Sequence, residues 1–263
     1  DSDIYFVANT SNQKKTTQVT FRSAGPQVEV WNAMNGSSYQ ASAITSTAGS
    51  TAVSLEFEPY QSHVIVISKS KTEMPKLPLP TKELASIDLS ADWQIAYGSG
   101  PSTNLEKLHS WADDEATRYF SGTALYEKSF ELPAGQVGSG IRHSIDFGEG
   151  QALEVQQTRN GMQTWYDPPI REAAVIFVNG QRAGSLWSPP YRLDITRLLR
   201  NGRNDLRIVV GNTALNHMSG RRLPDYKLLN LRYGERFQPQ EMEKIQPIAS
   251  GLTGKVRLVS FVK

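Results

Sequence analysis

The sequence predicts an all-β chain, with a small antiparallel sandwich first and a larger β domain with a long C-terminal arm after it. Three observations carry that reading. Short runs with apolar residues at every second position recur between clusters of Asn, Ser, Gly and Pro, the pattern of half-buried strands joined by turns. Helical signals are scarce. And Ala174–Val178, Asn179-Gly180 and Gln181–Leu186 read as strand, turn and strand, because a two-residue primed turn needs positive φ at both centres and Asn-Gly supplies it.

In chain order, residues 4–69 give short strands at Ile4–Ala8, Gln18–Phe21, Gln27–Trp31, Ala52–Phe57 and Val64–Ser68, the small sandwich of residues 1–70. Lys71–Lys82 carries prolines at 75, 78 and 80; proline donates no backbone hydrogen bond, so this stretch reads as an extended linker. The strand pattern resumes at Ile87–Ile95 and defines a second domain over 83–263. Short helical turns are expected around Leu105–Leu108, at Thr196–Leu199 and at Gln240–Lys244. Two segments break the rhythm. Gln151–Arg171 reads as an insertion, and Asn212–Ser250 is too long and aperiodic for an ordinary connection, so it reads as an arm that packs on another domain.

Composition narrows the function. The 263 residues hold 28 basic and 26 acidic side chains, a net charge of +2, so no field of one sign points to nucleic acid or an anionic membrane. No run approaches the roughly 18 apolar residues of a membrane span. The chain opens on Asp1-Ser2-Asp3, which reads as a processed leader or a piece of a longer protein. There are no cysteines, which excludes disulfides and thiolate chemistry and leaves the compartment open.

Several motifs in one order are similar to the sugar-binding β-sandwich of family 2 glycoside hydrolases, and more closely to the version near the C-terminus of family 106 enzymes, the α-L-rhamnosidases. They are Tyr119–Pro133, the Val178-Asn179-Gly180 turn, Trp187 with Pro189-Pro190-Tyr191, Asp194-Ile195-Thr196, Gly202–Leu206, Leu223–Tyr226 and Ser250–Leu258. The opening residues resemble the β module that follows the barrel in many glycosidases. The resemblance implies a galactose-binding-like jelly roll over 83–263, a non-catalytic portion supporting an N-terminal catalytic domain, carbohydrate as a partner, and a periplasmic or secreted bacterial setting. An independent carbohydrate-binding module, accessory domains of a family 2-type β-glycosidase, and a complete enzyme stay open as alternatives.

Sugar binding needs aromatic faces and planar polar groups. Trp111, Trp165, Tyr166, Trp187, Tyr191 and Arg192 fit that chemistry, or an interface, or plain packing of the sheet edges. In the arm, Arg222, Tyr226, Tyr233 and Phe237 are the docking anchors, and an apolar patch flanking residues 215–240 is what docking predicts. Catalytic carboxylates would come from Asp113, Asp114 and Glu115, or from Glu235, Glu241 and Glu243, yet no barrel-length βα pattern accompanies them; none is assigned a catalytic role. No cofactor is expected beyond a structural calcium that Asp113, Asp114 and Asp146 offer. His63, His109, His143 and His217 share no ligand spacing.

Overall fold

A computed structural model describes residues 2–34, 36–41, 44–47, 49–70, 73, 83–138, 140–156, 164–222, 226–234 and 245–262. The chain is all-β, with strands β1 (Ser2–Ala8), β2 (Lys15–Phe21), β3 (Gln27–Asn32), β4 (Ser37–Gln40), β5 (Ile44–Thr47), β6 (Ser50–Phe57) and β7 (Ser62–Ser68) in its first part. There follow β8 (Glu83–Asp88), β9 (Ala91–Tyr97), β10 (Thr103–Lys107), β11 (Thr123–Leu132), β12 (Ile141–Asp146), β13 (Gln151–Ala152), β14 (Tyr166–Asp167) and β15 (Ile170–Arg171). The last strands are β16 (Ala173–Val178), β17 (Gln181–Leu186), β18 (Arg192–Asp194), β19 (Gly202–Gly211), β20 (Gly251–Leu252) and β21 (Arg257–Val262). Helices are short: 3-10 turns at Trp111–Asp113 and Thr196–Leu198, α1 at Leu215–Ser219 and α2 at Lys227–Tyr233.

The chain forms two compact units that are not contiguous in sequence: residues 1–82, 150–167 and 188–190, and residues 83–149, 168–187 and 191–263. In the first, the sheets β1-β7-β3-β4 and β2-β6-β5 enclose Phe21, Val28, Val30, Val53, Leu55, Phe57, Ile65 and Ile67. Alternation sets this up: in β6, Thr51, Val53, Leu55 and Phe57 point inward while the residues between them point out. The β13–β14 hairpin belongs to this unit. Asn12, itself buried, donates its side-chain amide to the carbonyls of Leu153 and Trp165, at 2.8 Å each. The Trp165 amide in turn donates to the Tyr60 hydroxyl at 3.0 Å. The Gln151–Arg171 stretch therefore splits, its residues up to Asp167 clustering with the N-terminal strands and the rest with the C-terminal unit.

The second unit packs a six-stranded antiparallel sheet, β10-β9-β11-β19-β16-β17, and a four-stranded one, β18-β12-β21-β8. Register aligns the apolar positions: Tyr126 and Ile176 both stand beside Ile208, and Ala124 and Ala174 beside Val210. Asn179 at φ 50° and Gly180 at φ 79° make the primed turn between β16 and β17 that the sequence predicts. Residues 105–107 differ from the helix expected there. They lie on the edge strand β10, where Leu105 pairs with Trp93, because cross-strand pairing along an exposed sheet edge outweighs a weak local helical spacing. The 3-10 turn at Thr196–Leu198 lies where a helical turn is expected, and the Gln240–Lys244 expectation falls outside the described residues. So does the linker expected over 71–82, apart from Glu73.

Candidate functional site

The predicted aromatic residues differ in how far they are buried. Trp111 is fully buried: its indole N–H donates to the Tyr126 hydroxyl at 2.6 Å, and its ring meets Tyr97 and Phe120 edge-on at 5.5 and 5.6 Å. Tyr126 also accepts from the Leu252 amide, and burial pushes its phenol well above the ordinary range. Gly251, at φ 91°, passes so close that a Cβ there would fall on the Trp111 ring. Trp111 is thus a core residue and presents no face to a ligand. Tyr191 is buried as well. Trp165 and Tyr166 are half-buried in the first unit, whereas Trp187 stands 60% exposed.

Arg192 is engaged. Its guanidinium reaches Asp146 through two nitrogens and lies over the Phe261 ring at 5.4 Å. Asp146 is buried and also takes Arg257 at 3.4 Å and the Gly148 amide at 2.8 Å. Two guanidiniums thus share the Asp146 carboxylate, and no cluster of three metal-ligating side chains occurs among the described residues. Asp113, Asp114 and Glu115 are exposed. Asp114 accepts from His109 at 2.8 Å and holds that imidazole above its usual pKa. Glu235, Glu241 and Glu243 lie outside the described residues.

Asp114 and Glu115 do border a depression of about 560 Å³ with Tyr97, Asn104 and Thr117. One aromatic ring, an amide and carboxylates around a monosaccharide-sized hollow is the chemistry that hydroxyl-rich ligands need.

The arm gives the clearest surface. Asn212 and Asn216 anchor its first turns. Asn212 donates to Phe120 and Ser250, and Asn216 exchanges hydrogen bonds with the Ile248 backbone at 2.8 and 2.9 Å. Beyond them α2 reads Lys-Leu-Leu-Asn-Leu-Arg-Tyr. Its Leu228 and Leu231, three residues apart and so on one face, are 81% and 84% exposed. Leu229, Tyr233 and Met218 are also exposed, Tyr226 is half-buried and Arg222 is exposed, while Phe237 lies outside the described residues. A seven-residue helix is marginal by itself, and one that shows leucines on its outer face lacks the burial that normally sustains it.

A second apolar surface has no place among the predicted residues. On the outer face of β1-β7-β3, Ile4 and Phe6 are 67% and 72% exposed, Phe6 and Trp31 both flank Val64, and Ile4 stands beside Val66. Its signal is in the sequence: Ile4-Tyr5-Phe6-Val7 is apolar on both faces of an edge strand, where a solvated face would alternate.

No protein-family model matches the chain. A curated protein of Formosa agariphila that carries a β-glucuronidase name is 28% identical over 140 residues, which is 51% of this chain and 10% of that protein. Among solved structures, the rhamnosidase from Novosphingobium sp. PP1Y is similar over 98% of this chain, with a TM-score of 0.73 and 26% identity, and the match takes in 22% of that enzyme. The chain therefore resembles a β-rich portion of glycoside hydrolases several times its length.

Proposed function

We propose that this chain is the non-catalytic C-terminal portion of a glycoside hydrolase of the α-L-rhamnosidase kind, resembling family 106, with a galactose-binding-like jelly roll as its larger unit. In this reading the arm seats against the catalytic domain of the same polypeptide. The observation that carries it is the bare leucine face of α2, Leu228 and Leu231. Covering two such side chains contributes about 1.5–3 kcal/mol each, and the matched enzymes have most of their length left over to supply the cover.

The test is reconstitution in two pieces. The remainder of the parent polypeptide, expressed separately, is expected to bind this chain, and Leu228→Asp with Leu231→Asp to weaken that binding at least tenfold without lowering the chain's own melting temperature. Unchanged binding, or release of p-nitrophenol from an aryl α-L-rhamnoside or β-D-glucuronide by this chain alone, overturns the reading.

A second reading, a carbohydrate-binding module, is favoured by the Tyr97, Asn104 and Asp114 depression. Saturable binding of L-rhamnose or its oligosaccharides that is lost in Asn104→Ala would support it.

A further inference from the structure

Where β17, the edge of the six-stranded sheet, runs beside β18, the edge of the four-stranded one, the sandwich opens into a depression of about 520 Å³. The two strands close on each other next to it: Gly184 of β17 has no side chain, and the Leu193 methyls of β18 occupy the space a Cβ would need. Three arginines line the hollow, Arg142 of β12, Arg182 of β17 and Arg197 of the 3-10 turn, with one acidic residue, Asp194.

These arginines are treated differently from others nearby. Arg192, Arg200, Arg203 and Arg257 each have a carboxylate within ion-pair distance. Arg142 and Arg197 have no ion pair among the described residues, and Arg182 donates to the neutral Ser185 hydroxyl at 2.7 Å. Asp194 is partly occupied, accepting from the Thr196 amide at 2.9 Å.

The frame that presents them is rigid. Thr196 bonds the His143 backbone in both directions, its hydroxyl accepting from the amide at 2.8 Å and donating to the carbonyl at 3.3 Å. The Asn179 amide donates to the Leu198 carbonyl at 2.8 Å and to Asn204 at 2.9 Å. The turn carrying Arg197 is thus tied both to β12 and to the primed turn of β16–β17. Like charges gathered in one concavity repel, and an anion bound there offsets that repulsion while the planar forks pair with its oxygens.

We infer that this depression is a binding site for an anionic sugar, one bearing a carboxylate or a sulfate. That the anion is carried by a sugar rests on the glycosidase context proposed above; the charge requirement rests on the arginines alone. The volume suits one or two sugar rings, and the exposed Arg182 and Arg197 leave it open to a chain end.

Calorimetric titration of the intact chain at low salt with D-glucuronic acid, glucose 6-sulfate, glucose and inorganic sulfate tests this. Saturable binding of the acid or the sulfated sugar, absent for glucose and reduced at least tenfold in Arg142→Gln and again in Arg197→Gln, is the expected result, and which of the two sugars binds identifies the anion. Raising the salt to 0.2 M is expected to weaken that binding. Arg197 is exposed, so its variant tests the site even where Arg142→Gln disturbs folding. Equal binding of glucose, binding of inorganic sulfate alone, or affinity unchanged in the Arg197→Gln chain overturns the inference. The Leu228→Asp with Leu231→Asp chain should bind the anionic sugar as before, so failure of docking and failure of this site are distinguishable.

Discussion

Two histidines pull stability in opposite directions with pH. His63 is buried against Phe57, with ring centroids 4.9 Å apart; one nitrogen bonds the Glu56 carbonyl at 3.1 Å and the other has no partner among the described residues. Burial, the larger effect, pushes its pKa below the usual value despite that hydrogen bond. The unfolded chain then binds the proton more readily, so His63 supports the fold fully above about pH 6.5 and that support is lost as pH falls toward the folded-state pKa. His109 is the reverse case. Its bond to Asp114 raises its pKa, so its contribution is complete below about pH 6.5 and is lost as pH rises through the folded-state value. Its side chain is more than a third exposed, and solvent screening limits the effect to about 0.5 kcal/mol. Melting curves between pH 5 and 8 should show an acid loss that His63→Gln removes and a smaller alkaline loss that His109→Gln removes. An acid loss of equal size in His63→Gln would contradict the assignment. Neither sign is legible in the sequence, where the four histidines look alike; burial and the partner's identity decide, and both arise from residues brought together by folding.

Among the elements, strands are legible where one face is solvated and opaque where both are covered or bare. Asn179-Gly180 announces its turn because only a few residues tolerate positive φ there. The Gly202–Leu206 motif is visible as a pattern, but the role of its asparagine is not. Asn204, fully buried, accepts from the Asn179 side chain at 2.9 Å and the Arg200 amide at 3.0 Å, and donates to the carbonyls of Arg200 and Gly202 at 2.7 and 2.9 Å. One side chain therefore ties the primed turn, the loop at Arg200 that follows the 3-10 turn, and the start of β19 together. Asn204→Ala leaves those groups unpaired in a buried site, a cost of about 2–3 kcal/mol, and a fall in the denaturation midpoint at unchanged slope checks it. A change within 0.5 kcal/mol would mean that water replaces the amide. The candidate surfaces follow the same logic. The arm is visible as a gap in the pattern, whereas Arg142, Arg182 and Arg197 are unremarkable in sequence because they meet only when two sheet edges close.

For the molecule as a whole, chain order and structural order diverge. Read linearly, residues 83–263 form one domain, yet residues 150–167 cluster with the N-terminal strands, and local periodicity cannot show which unit an insertion joins. The link is concrete: Asn12 satisfies the Leu153 and Trp165 carbonyls, and Tyr60 accepts from the Trp165 amide. The N-terminal unit is therefore completed by chain some 140 residues away. A fragment of residues 1–70 lacks those partners and should unfold at lower denaturant than the same strands do in the full chain. Asn12→Ala separates this cause from a general effect of truncation. In the full chain it removes two hydrogen bonds and should cost about 1–3 kcal/mol. In the fragment, where the acceptors are absent, it should cost much less, and the difference is the coupling energy between Asn12 and the inserted hairpin. Equal costs in both settings would show that Asn12 acts within the first 70 residues alone and that the hairpin adds nothing to the stability of that unit.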